Sequence, residues 1–339
     1  MTFIELGELC DKGTSNLAQK DLLIDSGRYP IYGAAGEITK VDFYQQSKPY
    51  LGIVKDGAGV GRVMRLPSNS SVIGTLQYIF PKENVDLKYL YYLIKYLDLG
   101  KSNTGATIPH IYFKDYKKRK VRAKSYNEQK YIGKIFELLE ANLITYNRIL
   151  ECYDSLIKSR FVELFGDINH NTKNWPIMRL EDLAELITDG EHLTPKRCND
   201  GIYLLSARNV LNHSLKLDDV DYIDETEYNR ISKRVVPKAG DILLSCSGSV
   251  GRCCRTPMEI KFQLVRSVAL IRFKSEITPI FAEYMITSDW FQRQINSLKT
   301  ASSQANLFQG KIKKLKGFVP DMNLQYNFIQ FVNQINKLK

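Results

Sequence analysis

The chain has 339 residues, 44% hydrophobic and 25% charged, and its 48 Lys and Arg against 37 Asp and Glu give a formal net charge of +11. That length suits two domains, and the composition supports buried cores and excludes a disordered chain. The charge excess favours a polyanionic partner, nucleic acid or an anionic membrane surface, yet no stretch approaches the ~18 apolar residues of a membrane span.

The opening MTFIELGELC has neither a basic start nor an apolar run, so it does not read as a signal peptide. The strand YLGIVK leads into KDGAGVGR (55–62), a loop of the kind whose backbone N–H groups can cradle a phosphate. TLQYIFPK (75–82) follows, then LKYLYYLI (87–94), which reads as a helix, then GATIPHI (105–111) and the basic turn YKKRK (116–120); DILLS, further on, gives a strand signal like YLGIVK. From Asn127 to about Phe165 there is no proline, and Gly133 is the only glycine. Apolar residues at Ile132, Phe136, Leu139, Leu143, Tyr146, Leu150, Tyr153, Ile157 and Leu164 form a heptad seam. Ser125 before Glu128 fits a capping box. Such a helix spans roughly 60 Å. The polar stretch GDINHNTKNWP (166–176) reads as a linker.

The chain then repeats itself. GIVKDGAGVGRVMR (52–65) has a counterpart in LLSCSGSVGRCCR (243–255); both loops end in Val-Gly-Arg but the second has fewer glycines, which points to a tight structural turn repeated once per half, presenting Arg62 and Arg252, rather than to a nucleotide-binding loop. TLQYIFPK matches SVALIRFK (267–274), LKYLYYLI matches PIFAEYMI (279–286), GATIPHI matches ASSQANL (301–307), and YKKRK matches IKKLK (312–316). NEQKYIGKIF (127–136) matches NLQYNFIQFV (323–332), and IELGEL (4–9) matches MRLEDL (178–183). The order of these matches predicts two related α+β halves, roughly 1–165 and 175–339. The expected segments are a first globule (1–122), a central coiled-coil helix (123–166), a linker (167–176), a second globule (177–318) and a short distal helix (319–339) with the seam Phe328, Val332 and Ile335. The two helices are expected to pair antiparallel. A rod of this length can set two DNA-reading modules one duplex turn, about 34 Å, or more apart.

Six cysteines show no CxxC spacing and four histidines no metal-ligand spacing, which points to free thiols in a reducing cytoplasm. No GxxxxGK(S/T) phosphate loop and no Pro-Pro pair of an adenine methyltransferase motif occur. Asp241, Glu259 and Lys261 resemble a Mg²⁺-dependent nuclease site, but the first half has no equivalent; a coiled-coil scaffold is a further alternative. His192, in DGEHLTP, reads as a turn-fixing residue alongside Thr194 rather than as a base. The basic stretch Lys114, Lys117, Lys118, Arg119, Lys120, Arg122 and Lys124 recurs as Lys311, Lys313, Lys314 and Lys316, a pattern suited to phosphate contact. Candidate base readers are Arg62, Arg65, Arg208, Asn209, Arg252, Arg255, Ser303, Gln304 and Asn306, with Tyr32 and Thr107 weaker, because forked and amide donors discriminate base edges.

These residues resemble the specificity (HsdS) subunit of type I restriction–modification systems. YPIYGAAGEI (29–38), TGATIPHIYFKDYKKRKV (104–121), NEQKYIGKIFELLEANL (127–143), LIKSRFVELFGD (156–167), DGEHLTP (189–195), GIYLLSARNV (201–210) and GDILLSCSGSVGR (240–252) carry the resemblance over nearly the whole chain. It implies two target-recognition domains, each reading half of a bipartite double-stranded DNA target, and helices that dock two methyltransferase subunits. It implies no chemistry in this chain: S-adenosylmethionine, Mg²⁺ and ATP would belong to partner methyltransferase and restriction subunits. The distal helix, about 17 residues, is shorter than is usual in the family, a departure that bears on whether the antiparallel pair is complete.

Overall fold

The computed structural model describes residues 2–22, 27–102, 109–257, 260–298 and 306–339, so Thr107, Glu259, Ser303 and Gln304 lie outside the described residues. The chain divides into two compact units, Met1–Asn147 and Arg148–Lys339.

The first unit runs through β1 (Phe3–Glu5), β2 (Cys10–Thr14), β3 (Tyr29–Gly33), β4 (Gly36–Val41), β5 (Tyr50–Val54), β6 (Val63–Leu66), β7 (Ser71–Val72) and β8 (Leu76–Pro81). Then come α1 (Leu87–Leu97), α2 (Phe113–Tyr116), β9 (Lys120–Arg122) and the start of α3 (Tyr126–Phe165). Its main sheet has the antiparallel order β2-β8-β5-β6. A second sheet, β4-β3-β7, pairs β7 parallel to β3, and β1 pairs with β9. β5 is buried at all five positions because it separates two cores. Leu51 and Ile53 face Leu90 and Ile94 of α1, whereas Tyr50 and Val54 pack with Val72 and Tyr78. The period of two along a strand produces that partition.

The second unit repeats the plan. After the rest of α3 come β10 (Ile177–Arg179), α4 (Leu180–Leu183), β11 (Ala184–Asp189), β12 (Ile202–Leu205), β13 (Val210–Leu211), β14 (Ser214–Leu215), β15 (Asp221–Ile223) and α5 (Glu225–Ser232). These lead to β16 (Ile242–Ser245), β17 (Cys253–Arg255), β18 (Phe262–Leu264), β19 (Val268–Phe273), α6 (Pro279–Thr287), α7 (Asp289–Leu298), α8 (Gln309–Lys314), β20 (Lys316–Phe318) and α9 (Met322–Leu338). The sheet β11-β19-β16-β17 reproduces β2-β8-β5-β6, and β15-β12-β18 reproduces β4-β3-β7 down to its one parallel pair. β10 and β20 pair as β1 and β9 do. The hairpin β13–β14 and helix α5 are additions of the second unit.

α3 begins on the expected capping box: Ser125 N donates to Glu128 Oε2 at 2.8 Å, and Glu128 N donates to Ser125 Oγ at 3.4 Å. Hydrogen bonds from Lys124 and Ser125 hold the Glu128 carboxyl down at about 2. Gly133 is required by a close approach, since a Cβ there would lie 2.9 Å from Asp86 Oδ1 and Tyr89 N at the start of α1. The helix ends on Gly166 at φ +80°, whose N–H donates to Val162 O.

The 166–176 stretch is not a bare linker. Ile168 is buried with Phe161 and Phe165, and Trp175 Nε1 donates 2.8 Å to the Phe165 carbonyl, so this segment caps and covers the end of α3. In the second unit α9 lies antiparallel on α3: Phe328 packs on Phe161 and Phe165, Arg160 lies over Phe331, and Lys339 pairs with Asp154. Ile157, Phe328, Val332 and Ile335 are buried there. In the first unit Ile132 is half-buried, and Phe136 stacks on Tyr92 yet stays exposed. Leu139 and Leu143 are 51% and 64% exposed, a helix face that no other described element covers; Leu150, in the second unit, is half-buried.

Candidate nucleic-acid interface

The glycine loop between β5 and β6 is a tight turn, not a phosphate cradle. Gly57, Gly59 and Gly61 have φ of +84°, +87° and +84°, the left-handed region that glycine enters freely. Their N–H groups do not all point outward: Gly57 donates to Pro109 O, Val60 to Gly57 O, Gly61 to Val54 O and Arg62 to Gly59 O. A Cβ on Gly61 would lie 2.2 Å from Gly100 N, so the backbone itself fills the space. The β16–β17 loop is built alike. Gly251 donates to Ser245 O, Arg252 N donates to Ser245 Oγ, and a Cβ on Gly251 would meet Gln292 Oε1 at 2.7 Å.

Equivalent backbone hydrogen bonds align the two loops residue by residue. Val54 N donates to Arg62 O as Ser245 N donates to Arg252 O; Lys55 N donates to Thr75 O as Cys246 N donates to Ser267 O. Ile111 N donates to Lys55 O as Leu307 N donates to Cys246 O. Each loop is thereby stitched to the chain that follows its helical layer. The bridge positions are Asp56 with His110 and Ser247 with Asn306. Their side chains also meet: His110 Nδ1 lies 2.7 Å from Asp56 Oδ1, and Ser247 Oγ donates 2.6 Å to Asn306 Oδ1.

The candidate readers divide into held and presented groups. Arg65 is spent on α3, with Nη1 3.0 Å from Glu137 Oε1 and its guanidinium 5.0 Å over the Tyr91 ring. Arg255 pairs with the buried Glu283, whose carboxyl is desolvated yet held below its ordinary range by His213 and Arg255. Asn209 is fully buried: its Oδ1 accepts from Ser206 N and its amide donates to the Lys216 and Asp219 carbonyls. Asn209 therefore serves the fold, which corrects its base-reading expectation, while Arg65 and Arg255 are each engaged in an ion pair and about a third exposed. Arg208 is exposed and paired with Asp221 at 2.8 Å. Arg62 is exposed, its Nη1 donating to Ala34 O. Among the described residues no hydrogen bond or ion pair holds the Arg252 guanidinium. Tyr32 is half-buried in β3.

The basic runs occupy equivalent places, α2 into β9 and α8 into β20. Lys118, Arg119, Lys120 and Lys314 are exposed, and Lys117 and Lys313 are half-buried. Lys311 Nζ donates to Leu298 O. Asn306 lines a cavity of about 640 Å³ with Ser247, His192 and Arg266. The sequence reading missed Arg266, exposed and unpaired among the described residues; its equivalent in the first unit is Gly74, and the repeat alignment was the available signal. His192 binds Asp189 at 2.9 Å, with Arg234 3.3 Å away.

The nuclease alternative fails on geometry. Asp241 is buried, both its oxygens are taken by Arg272, and it also accepts from Lys238 N. Lys261 is paired with Glu225 and lies over the Tyr228 ring. Among the described residues no cluster of His, Cys, Asp or Glu is arranged to hold a metal ion. Burial pushes the Cys246 and Cys254 thiols up to about 12, so neither is a ready nucleophile.

Two copies of one α+β fold, each with a basic run leading towards a seamed helix, define a duplicated recognition chain. The chain belongs to the family described as the type I restriction modification DNA specificity domain, which matches residues 1–151 and 172–338, one match per repeat. The type I restriction enzyme MjaVIII specificity subunit of Methanocaldococcus jannaschii is 22% identical over 304 residues, covering 84% of this chain and 71% of that protein. The crystal structure of the type I restriction–modification S subunit from M. genitalium shares the fold, with a TM-score of 0.62 at 17% identity over 99% of this chain and 89% of that one. A chain from a study of complex assembly and conformational transition of the type I R-M system gives a TM-score of 0.53 at 12% identity over 99% and 90%. The protein is thus a specificity subunit, of a family that is non-catalytic. Among the described residues no helix is long and apolar enough to cross a membrane.

Proposed function

We propose that each unit reads one half of a bipartite target in double-stranded DNA, and that the uncovered face of α3 docks adenine-N6 methyltransferase subunits, two to a complex. Restriction subunits join the same assembly in the prokaryotic cytoplasm. S-adenosylmethionine, Mg²⁺ and ATP belong to these partners and not to this chain.

The observation that carries the reading is the repeat itself: two units of one topology present a basic run at the same place but differ in the side chains around their glycine loops. A shared scaffold with divergent loops suits two different half-sites. In the first unit Arg62 and the Lys117–Lys120 run are the groups offered to DNA. In the second they are Arg208, Arg252, Asn306, Lys311, Lys313 and Lys314, with Ser303 and Gln304 as further candidates. Leu139 and Leu143 supply apolar area for the methyltransferase.

Methylation sequencing of a host expressing the complex tests this reading. The expected result is one bipartite adenine-methylated sequence, of which exchanging residues 1–122 changes a single half. Methylation without sequence preference, or a change in both halves, overturns it. Binding is also expected to weaken steeply with salt.

A further inference from the structure

The turn that leads into β8 in the first unit and into β19 in the second is one structure built twice. Gly74 N donates to Leu17 O as Arg266 N donates to Glu191 O, and Ile73 N donates to Tyr32 O as Val265 N donates to Leu205 O. Leu76 N donates to Ile73 O as Val268 N donates to Val265 O. The same bonds form with glycine at the central position in one copy and arginine in the other. Gly74 lies outside the left-handed region, so the turn asks for no particular side chain there. The scaffold does without the Arg266 side chain, which is exposed and has no hydrogen bond or ion pair among the described residues. Two carboxylates close by are already engaged. Asp189 binds Arg234 at 2.6 Å and His192 at 2.9 Å, and Glu191 pairs with Arg230 at 3.4 Å. The planar guanidinium fork of Arg266 is left open to an incoming acceptor.

The place is concave in both units. Arg266 lines the cavity of about 640 Å³ together with Asn306 and Phe308. Their equivalents in the first unit are His110 and Tyr112, by the matching bridges and because Lys311 N donates to Phe308 O as Asp115 N donates to Tyr112 O. These two line a smaller cavity of about 90 Å³. Phe308 and Tyr112 are both exposed, and each stands immediately before the short helix, α8 or α2, that opens its unit's basic run. The concavity, the exposed ring and the basic run thus belong to the repeat, while the polar lining differs between the copies. A site held in place by a shared scaffold and varied in its lining is where two copies can recognise different sequences.

Resting on the DNA-reading role proposed above, we propose that Arg266 is a base-reading residue of the second unit and that its ligand is the major-groove edge of a guanine, whose O6 and N7 match the guanidinium fork. Lys313 and Lys314, in the basic run that follows Phe308, supply phosphate contacts that set the register. The first unit reads nothing from this turn, because Gly74 offers no side chain.

The test uses the full chain assembled with its methyltransferase subunits, with methylation sequencing and competition between target duplexes as readouts. The second half-site is the one that exchange of residues 1–122 leaves unchanged, and it is expected to hold an invariant guanine–cytosine pair. Arg266→Ala is expected to lower discrimination at that one pair about tenfold or more, with every other position and the whole first half-site unchanged. Arg266→Gly, the residue with which the first unit makes the same backbone bonds, is expected to relax the same pair, which separates lost readout from misfolding. Arg266→Gln is expected to move the preference at that pair from guanine towards adenine. A second half-site without an invariant guanine–cytosine pair overturns the assignment, and so does an Arg266→Ala complex with unaltered specificity. A loss of affinity that is uniform over all sequences also overturns it, since that is the mark of a phosphate contact. A wild-type complex with no sequence preference overturns the DNA-reading role beneath it.

Discussion

The two ends of α3 obey one heptad rule and meet different fates. In the second unit the seam is closed: Ile157 and Phe161 lie under Phe328, Val332 and Ile335 of α9, inside a core that also holds Phe165, Phe281 and Phe318. In the first unit the seam is open beyond Ile132 and Gly133, and Leu139 and Leu143 stand in solvent. The closed end contributes fold stability. The open end contributes little to the isolated chain, and its conspicuous apolar face suits a partner.

Four measurements sharpen or break that contrast. The largest stability effect belongs to the closed end: Phe328→Ala removes a ring packed on Phe161, Phe165 and Tyr284, and is expected to cost about 3–5 kcal/mol in denaturant unfolding of the second unit. A loss below about 1 kcal/mol would mean that α9 is not part of that core.

Gly133→Val strikes a tightly covered point of the open end, next to buried Gln129. Its new Cβ meets Asp86 and the Tyr89 backbone, so a destabilisation of about 1–3 kcal/mol is expected in the first unit. An unchanged melting temperature would show that α1 yields there.

Leu139→Glu with Leu143→Glu lies on the open face and is expected to change stability by less than about 0.5 kcal/mol. The same double variant should abolish copurification with methyltransferase subunits. Retained copurification would move the docking surface elsewhere.

The smallest effect concerns the capped N-terminus of α3. Glu128 has a folded-state value held down at about 2, against an ordinary 4.5, by Lys124 and Ser125. Its contribution is therefore present above pH 4.5 and lost as pH falls towards 2. The difference in helix content between wild type and Glu128→Gln should shrink over that window. A difference that persists unchanged at pH 2 would rule out the capping carboxylate as its source.

Local and periodic features were legible in the sequence. The duplication shows as an ordered series of matches because equivalent strands need equivalent apolar residues. The long helix shows in its seam and in Ser125 and Glu128, since its caps and periodicity involve residues only a few positions apart. The loop KDGAGVGR announced a tight structural turn once it was set against CSGSVGR, which shares its entering strand and Val-Gly-Arg exit but has fewer glycines.

Tertiary structure decided how each polar group is used. Arg65 and Arg62 look alike in sequence, but Arg65 finds Glu137 across 72 positions of chain while Arg62 stays at the surface. Arg255 and Arg252 part in the same way, because only Arg255 faces buried Glu283. Asn209 becomes a fully buried cap, and the 166–176 stretch becomes a lid on α3 through Ile168 and Trp175. Which length of the seam α9 covers, and that Asp56 meets His110 where Ser247 meets Asn306, likewise depend on contacts far apart in the chain. Charge pairing and burial act through distance in space, whereas composition and periodicity report only distance along the chain.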